Sequence, residues 1–182
     1  MSKRSLLVIL CEDQQHEVFL RRFFREAGWS QHCIRVEKSS KGEGSGEQWV
    51  RERFPRELES ARKRSGSGVW LIVMLDADIG TVADRAKALD KACVASNISK
   101  RRSRDPVMIF IPKRNIETWI SYLNGEQVDE ETVYRKLSRP RDCASQVRTL
   151  KKMCDAGALQ DAPPPSLRSA CEEYAQKSRQ ML

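Results

Sequence analysis

The sequence lacks the features that identify several functional classes. Its aliphatic runs are short and its mean hydropathy is −0.60, so no segment is expected to span a bilayer. Its six cysteines are scattered without a CxxC pair, which argues against a zinc site and favours reduced, mostly buried thiols. No GxxxxGK[ST] loop is present, so ATP binding by this chain has no support. There is no internal repeat.

What is present is the composition of one small domain with a basic surface. Its 182 residues lie within the usual range for a single core. The formal net charge of +8 suits a polyanionic partner, although an exposed basic surface is also an ordinary route to solubility. The opening MSKRS leads into a strand-like run too short for a signal peptide, so we expect a cytoplasmic protein.

Apolar runs alternate with amphipathic stretches as far as residue 125, a pattern typical of an α/β fold. Strands are predicted at about Ser5–Cys11, Cys33–Val36, Val69–Leu75 and Val107–Ile111. Helices are predicted at about Gln14–Ala27, Glu47–Lys63, Val82–Ala95 and from an N-cap at Asn115 through Leu123. We therefore expect a Rossmann-like, three-layer parallel sheet of about four strands within residues 1–125.

Residues 126–182 form a predicted helical C-terminal extension, packed on or beside that domain. Its helices are expected at Glu130–Leu137, about Ala144–Cys154 and about Ser166–Arg179. Three consecutive prolines, residues 163–165, separate the last two helices because proline cannot continue a helix. The sequence leaves open whether this extension packs on the sheet, forms a partner surface, or does both.

Carboxylates follow two of the predicted strands. The third strand runs into Asp76-Ala77-Asp78, and the first ends in Glu12. Alternation along a strand places Asp76 and Asp78 on one side and Ala77 on the other. Clustered carboxylates repel one another unless a cation lies between them, and oxygen ligands suit Mg²⁺ or Mn²⁺. Since parallel strands bind ligands at their carboxyl ends, the pattern predicts a metal-assisted phosphoryl-transfer site.

Other candidates fall at the same edge of the predicted sheet. Glu117 lies in the first helical turn after Asn115, and Lys113 and Arg114 would flank the site and meet a phosphate backbone. Lys41 belongs to a glycine-rich loop that either contacts phosphate through its amides or is a linker. The basic runs 62–64 and 100–104 precede strands, so they are predicted at the opposite edge.

Each candidate also has a purely structural explanation. Asp76 and Asp78 could cap the following helix, while Glu12 and Glu117 could interact with helix dipoles for only about 0.3–1 kcal/mol. Other side chains are expected to have no role in the site. These are the surface acids Asp13 and Glu17, the solvated His16 and the core residue Trp119.

In their order along the chain, these motifs resemble the Toprim family of topoisomerases, primases and nucleases. LLVILCEDQQHEVFLRRFF resembles its first motif, with Glu12 at the glutamate position, and LIVMLDAD resembles its DxD strand. IFIPKRNIETWI resembles a feature of small stand-alone Toprim proteins, including overcoming-lysogenization-defect and phage-defence nucleases, in which Glu117 would join the acidic cluster. The chain departs from the pattern where Asp13 replaces a glycine and His16 stands where an acid is common.

The resemblance implies a Mg²⁺-dependent nuclease that cleaves DNA or RNA, with a role in antiphage defence. Its implied metal ligands are Glu12, Asp76 and Asp78, and its implied catalytic residues are these three and Glu117. The implied partners are nucleic acid, a separate ATPase and a second copy in a homodimer. The alternative is a non-catalytic Toprim-like module that binds nucleic acid or protein, and the departures at Asp13 and His16 favour it. A receiver-like domain fits less well, since no suitable pair of phospho-acceptor and lysine is present.

Overall fold

The structure, a computed structural model, describes residues 5–39 and 45–181. Its four strands are β1 (Leu6–Cys11), β2 (Ile34–Lys38), β3 (Val69–Met74) and β4 (Val107–Phe110). All neighbouring strands pair in parallel, in the order β2-β1-β3-β4. The predicted α/β class with a four-stranded parallel sheet is therefore confirmed.

Helices flank this sheet and continue to the end of the described chain. They are α1 (Gln14–Glu26), α2 (Gly46–Lys63), α3 (Val82–Ala95), α4 (Ile116–Leu123), α5 (Ala144–Ala156) and α6 (Pro165–Met181). Six predicted helices are thus present with ends close to those expected. None of the helices in the described ranges combines the length and the apolar character that a membrane crossing requires.

Alternating strand side chains divide the interior into two cores, as expected for a sheet covered on both faces. Strand β3 is buried along its whole length. On one face, strand residues pack with α1, α4, α5 and α6, and these residues are Leu7, Ile9, Ile72, Met74 and Phe110. On the other face, strand residues pack with α2 and α3, and these are Val8, Leu10, Leu71, Val73 and Val107.

The strand order reverses its direction between β1 and β3, the two central strands of the sheet. The chain leaves β1 for β2 on one side and later returns to β3 on the other. Ligands in open α/β sheets bind at the carboxyl ends of strands at such a switch point. Because Cys11 of β1 pairs with Met74 of β3, the residues that follow these two strands emerge together there.

The last two helices belong to the core rather than to a separate layer. Val147 and Leu150 of α5 and Leu167 and Tyr174 of α6 are buried in the same cluster as α1. Helix α6 also covers the free edge of β4, where a glutamate side chain accepts a hydrogen bond from the strand backbone. The C-terminal extension therefore packs on the α1 face of the sheet.

The predicted helix over Glu130–Leu137 is wrong. Asp129 Oδ1 accepts a hydrogen bond from the backbone N–H of Glu131 at 2.8 Å, which competes with helical hydrogen bonding. Glu130 accepts one from the backbone N–H of Ser166 at 2.8 Å, so it serves the first turn of α6. One local and one tertiary hydrogen bond thus oppose a helix here, and the backbone of the segment is irregular.

The expectation of six reduced cysteines is wrong for two of them. Cys154 of α5 and Cys171 of α6 form a disulfide, with their Cα atoms 5.1 Å apart. The two residues are separated by 17 positions and meet only because α5 and α6 pack together, so their spacing carried no signal. The remaining four are free thiols, namely Cys11, Cys33, Cys93 and Cys143.

Candidate active site

Glu12 and Asp76 meet at the switch point between β1 and β3. The Oε1 atom of Glu12 accepts a hydrogen bond from the backbone N–H of Asp76 at 2.7 Å. The Asp76 side chain keeps 14% of its surface exposed, so its carboxylate borders solvent. The structure thus brings together the two acids that follow the central strands.

His16 is fully buried beneath these acids, so the prediction of a solvated side chain is wrong. Its Nε2 lies 3.1 Å from Asp76 Oδ1. Asp13 caps α1 by accepting a hydrogen bond from the His16 backbone N–H at 2.9 Å, and this fixes the first turn. A signal for burial was present, because His16 shares a helical face with Phe19, Leu20 and Phe23.

The charges in this cluster shift one another's pKa values. Burial would lower the pKa of His16, but the charge and hydrogen bond of Asp76 outweigh it and raise the pKa to about 9. Burial also disfavours the charged form of Glu12. Together with the nearby charge of Asp76, and against the opposing effect of His16, it raises the Glu12 pKa to about 7. Asp76 thus favours the protonated form of the buried imidazole, and the raised pKa of Glu12 brings its titration toward neutral pH.

Asp78 has a different partner from Asp76. Ala77 is buried on the α2–α3 face, as alternation predicted, but Asp78 adopts a left-handed φ of +51°. Its Oδ2 accepts a hydrogen bond from Arg85 Nη2 at 3.1 Å, and 58% of the side chain is exposed. Its negative charge still acts on Glu12 and contributes to the raised Glu12 pKa.

Arg85, in the first part of α3, is a site residue that the sequence reasoning missed. Its Nε donates to the backbone oxygen of Asp76 at 3.0 Å, and its Nη1 lies 2.9 Å from Glu47 Oε1. Together with the contact to Asp78, these bonds hold the DxD segment against α2 and α3. The available signal was its position in the helix that directly follows that segment.

Glu117 is buried in the first turn of α4, with 5% of its surface exposed. Burial, followed by the charges of Asp76 and Asp13, raises its pKa, while Lys136 acts in the opposite direction. Glu117 therefore lies within electrostatic reach of Asp76. Asn115 occupies the predicted N-cap position before it, although its side chain makes no capping hydrogen bond.

The predicted phosphate-binding residues have different surroundings. Lys113 is largely buried, and its Nζ pairs with Glu131 Oε1 at 3.2 Å. Arg114 is partly exposed and left-handed, with φ +67°, and its backbone oxygen accepts from the Asp78 N–H at 3.1 Å. Lys41 lies outside the described residues.

Gly46, the first residue of α2, packs closely against Glu12. A Cβ atom added at Gly46 would lie 2.9 Å from Glu12 Cβ and 3.0 Å from the Glu12 backbone oxygen. Real Cβ atoms do not approach other atoms so closely, so glycine permits this contact. The position of Glu12 thus depends on β1, on Asp76 and on the first turn of α2.

Three side chains that were predicted to lie outside the site, at the surface or in the core, have structural roles. Asp13 is the exposed N-cap of α1. Glu17 is partly buried and pairs with Lys38 Nζ at 2.7 Å. Trp119 is a core residue, as predicted, and its indole Nε1 donates to Ser166 Oγ at 2.8 Å.

The chemistry of these donors suits Mg²⁺, but the described side chains do not form a complete ligand set. Within residues 5–39 and 45–181, no group of three or more His, Cys, Asp or Glu residues is arranged to hold a metal. Burial is the main cause of the raised pKa values of Glu12 and Glu117, and the negative charge of Asp76 adds to it in both. Carboxylate oxygens with excess negative charge are what a hard divalent cation prefers.

No protein-family model, curated protein or solved structure matches this chain. What the site can do therefore follows from its own residues. Glu12 can accept a proton near neutral pH, and Asp76 offers a carboxylate oriented by a buried histidine. Arg85 and Arg114 supply positive charge beside these acids.

Proposed function

We propose that this chain is a Mg²⁺-dependent nuclease of the Toprim type that hydrolyses phosphodiester bonds of DNA or RNA. The main observation behind this proposal is that Glu12 and Asp76 meet at the switch point of the sheet. The Oε1 atom of Glu12 lies 2.7 Å from the backbone nitrogen of Asp76. The formal charge of +8 supports a polyanionic substrate. The order of the sequence motifs supports the Toprim type.

Mg²⁺, or Mn²⁺ in its place, would be held by Glu12, Asp76 and Asp78, with Glu117 close enough to influence the charge of the site. A bound ion would polarise the scissile phosphate and neutralise its developing charge. Asp78 now pairs with Arg85, so it would have to exchange that contact to serve as a ligand. His16 would keep Asp76 in position, since its hydrogen bond goes to Oδ1.

Where Asp76 and Asp78 alone hold the ion, Glu12 is instead the best placed general base. In the metal-free chain its pKa is raised to about 7, which suits a carboxylate that takes a proton from water near neutral pH. The water oxygen then forms a bond to phosphorus, the bond from phosphorus to the leaving oxygen breaks, and that oxygen takes a proton from solvent. Arg114 at the rim of the site would contact the phosphate oxygens and stabilise their charge.

The test is a cleavage assay on mixed DNA and RNA with Mg²⁺ or Mn²⁺, with an EDTA control. We expect Asp76→Asn/Asp78→Asn to lower the rate by at least about 10³-fold, because metal assistance contributes several kcal/mol. A control with the same loss of charge is Asp155→Asn/Asp161→Asn, which changes exposed residues in α5 and the loop after it. Equal cleavage by both double variants would reject the proposal.

A second candidate is a non-catalytic module that binds nucleic acid or a protein such as an ATPase. The existing ion pairs favour it, because His16 and Arg85 already partner Asp76 and Asp78. A folded wild type that binds nucleic acid without cutting it, and binds as well or better after the double Asp→Asn change, would establish this function. An antiphage role, a cytoplasmic location and a homodimer are proposals that accompany either function.

A further inference from the structure

A segment that ends in a short 3₁₀ helix, Pro140–Cys143, lies across the first turns of α1, beside the candidate active site. We call residues 134–143 the basic strap. Gln15 of α1 donates a hydrogen bond from Nε2 to the strap backbone at Pro140 O, 3.2 Å away. Leu137 packs against the α1-side core and Cys143 is fully buried in it, so the strap is fixed at both its middle and its end.

The strap carries four exposed cations, Arg135, Lys136, Arg139 and Arg141. Its acidic residue is Asp142, which pairs with Arg139 Nη2 at 3.1 Å. That pair is solvent-exposed, and exposed pairs are weak enough to be exchanged for a phosphate. A short stretch of backbone thus presents several cationic side chains toward solvent.

The strap backbone lies on the α1 and α4 side of the candidate active site. Gln15, which holds the strap, directly precedes His16 in the chain and lies two residues after the N-cap Asp13. At the other end, the positive charge of Lys136 acts on Glu117 in the first turn of α4. The strap therefore lies beside the first turns of α1 and α4, which carry His16 and Glu117.

We propose that the basic strap binds the phosphate backbone of a nucleic-acid strand and positions that strand over Glu12 and Asp76. The part of this inference that concerns positioning of the strand over Glu12 and Asp76 rests on the proposed function. Arginine and lysine contacts to phosphates fix the register of a nucleic acid without reading its sequence. Since Lys113 is largely buried against Glu131, the strap offers the more accessible positive charge at this edge.

The basic runs at the opposite edge of the sheet have different surroundings. Arg62 pairs with Asp105 and also donates to the backbone of Ser99, which ties α2 to the segment before β4. Arg101 pairs with Glu173 of α6 at 3.1 Å. This edge still has exposed cations for a control with equal loss of charge, namely Lys63, Arg64, Lys100 and Arg104.

The experiment measures binding in EDTA, where metal-dependent cleavage cannot occur. Labelled random-sequence DNA duplex and labelled single-stranded RNA are titrated with the full chain at several salt concentrations, and anisotropy is recorded. The strap variant is Arg135→Gln/Lys136→Gln/Arg139→Gln/Arg141→Gln. We expect its Kd to rise on the order of a hundredfold, and the slope of log K against log salt to fall by about 3 to 4.

The control variant is Lys63→Gln/Arg64→Gln/Lys100→Gln/Arg104→Gln, which removes equal charge from the opposite edge. We expect it to keep most of the wild-type affinity and salt slope. Equal losses in the two variants would overturn the proposal, since they would mean that net charge alone drives binding. Unchanged binding by the strap variant would also overturn it and would favour an acidic protein as the partner of this edge.

A smaller variant guards against misfolding of the fourfold change. Arg135→Gln/Arg141→Gln leaves the Arg139–Asp142 pair intact and should lower the salt slope by about 2. Binding that depends on the strap, with no cleavage under any metal condition, would reject the nuclease and support the strap. Metal-dependent cleavage together with binding that does not depend on the strap would support the nuclease and reject the strap. The two proposals can therefore fail separately.

Discussion

The imidazole of His16 lies fully buried, with Nε2 3.1 Å from Asp76 Oδ1, directly beneath the two acids that close the central strands. The charge and hydrogen bond of Asp76, with smaller contributions from Asp13 and Glu12, favour the protonated form of His16 against the effect of burial. His16 therefore supplies a positive charge to an acidic cluster and orients the Asp76 carboxylate. The same contact stabilises the fold only while the histidine keeps its proton.

The metal-free protein should lose stability as the pH rises from about 6.5 to about 9. The pKa of His16 is raised from 6.5 to about 9 in the folded chain. A raised pKa means that the stabilisation is fully present below 6.5 and is lost as the pH passes 9. At about 1.36 kcal/mol per pKa unit, the change in unfolding free energy is about 3 kcal/mol at most.

Chemical denaturation in EDTA at several pH values measures this loss, with His16→Gln as the test variant. Its unfolding free energy should decline less steeply than that of the wild type between about pH 7 and 9, and the decline that remains comes from Glu12 and the buried thiols, whose pKa values are also raised. His32→Gln is the matched control, because it removes the exposed histidine of the chain and should keep the wild-type decline. Parallel pH curves for the wild type and His16→Gln would contradict the assigned role of this contact.

The sheet was predictable because three of its four strands, β1, β3 and β4, are short, continuous apolar runs that a sheet covered on both faces can bury. The convergence of Glu12 and Asp76 followed from the same pattern, since both residues come directly after central strands. His16 was predicted wrongly although its spacing to Phe19 and Phe23 indicated the buried face of α1. There the polar character of one residue was given more weight than helical periodicity.

Other features depend on particular side-chain contacts that periodicity and propensity do not specify. Arg85 reaches the DxD segment only because α3 folds back beside it, and Asp78 turns toward Arg85 through a left-handed backbone. Residues 130–137 have a helical pattern, yet Asp129 and Ser166 take up the hydrogen bonds of that segment. In each case a specific side-chain hydrogen bond outweighed the local preference, and the one between Glu130 and Ser166 is long-range.

Gly46→Ala should disturb Glu12 although alanine is the better helix former. The added Cβ would lie 2.9 Å from Glu12 Cβ, so α2 or Glu12 has to move. We expect a loss of about 1–3 kcal/mol in unfolding free energy, as for overpacked sites, together with a fall in cleavage rate. Urea denaturation and the Mg²⁺-dependent cleavage assay measure the two effects.

Gly66→Ala provides the control for this substitution. A Cβ at Gly66 meets nothing within 4 Å, so the same chemical change should leave both stability and cleavage close to wild type. If Gly46→Ala were as stable and as active as Gly66→Ala, the close approach of α2 would have no part in positioning Glu12.

The disulfide between Cys154 and Cys171 should stabilise the packing of α5 on α6. A cross-link over 17 residues restricts the unfolded chain and contributes about 3 kcal/mol in the loop-entropy description. A reductant should therefore lower the unfolding free energy of the wild type by about that amount. Cys154→Ser/Cys171→Ser should not respond to the reductant, whereas Cys93→Ser, which removes a free thiol, should respond as the wild type does.

Thiol counting tests the same bond directly and bears on where the chain works. The unfolded wild type should show four reactive thiols before reduction and six after it. Six thiols without reduction would contradict the bond. Because the cytoplasm of most cells keeps thiols reduced, the disulfide conflicts with the predicted cytoplasmic location. Blocking thiols during cell lysis and then counting the blocked ones decides between the disulfide-bonded and the reduced chain in the cell. Four blocked thiols would mean that the bond is present in the cell, and six would mean that it is absent.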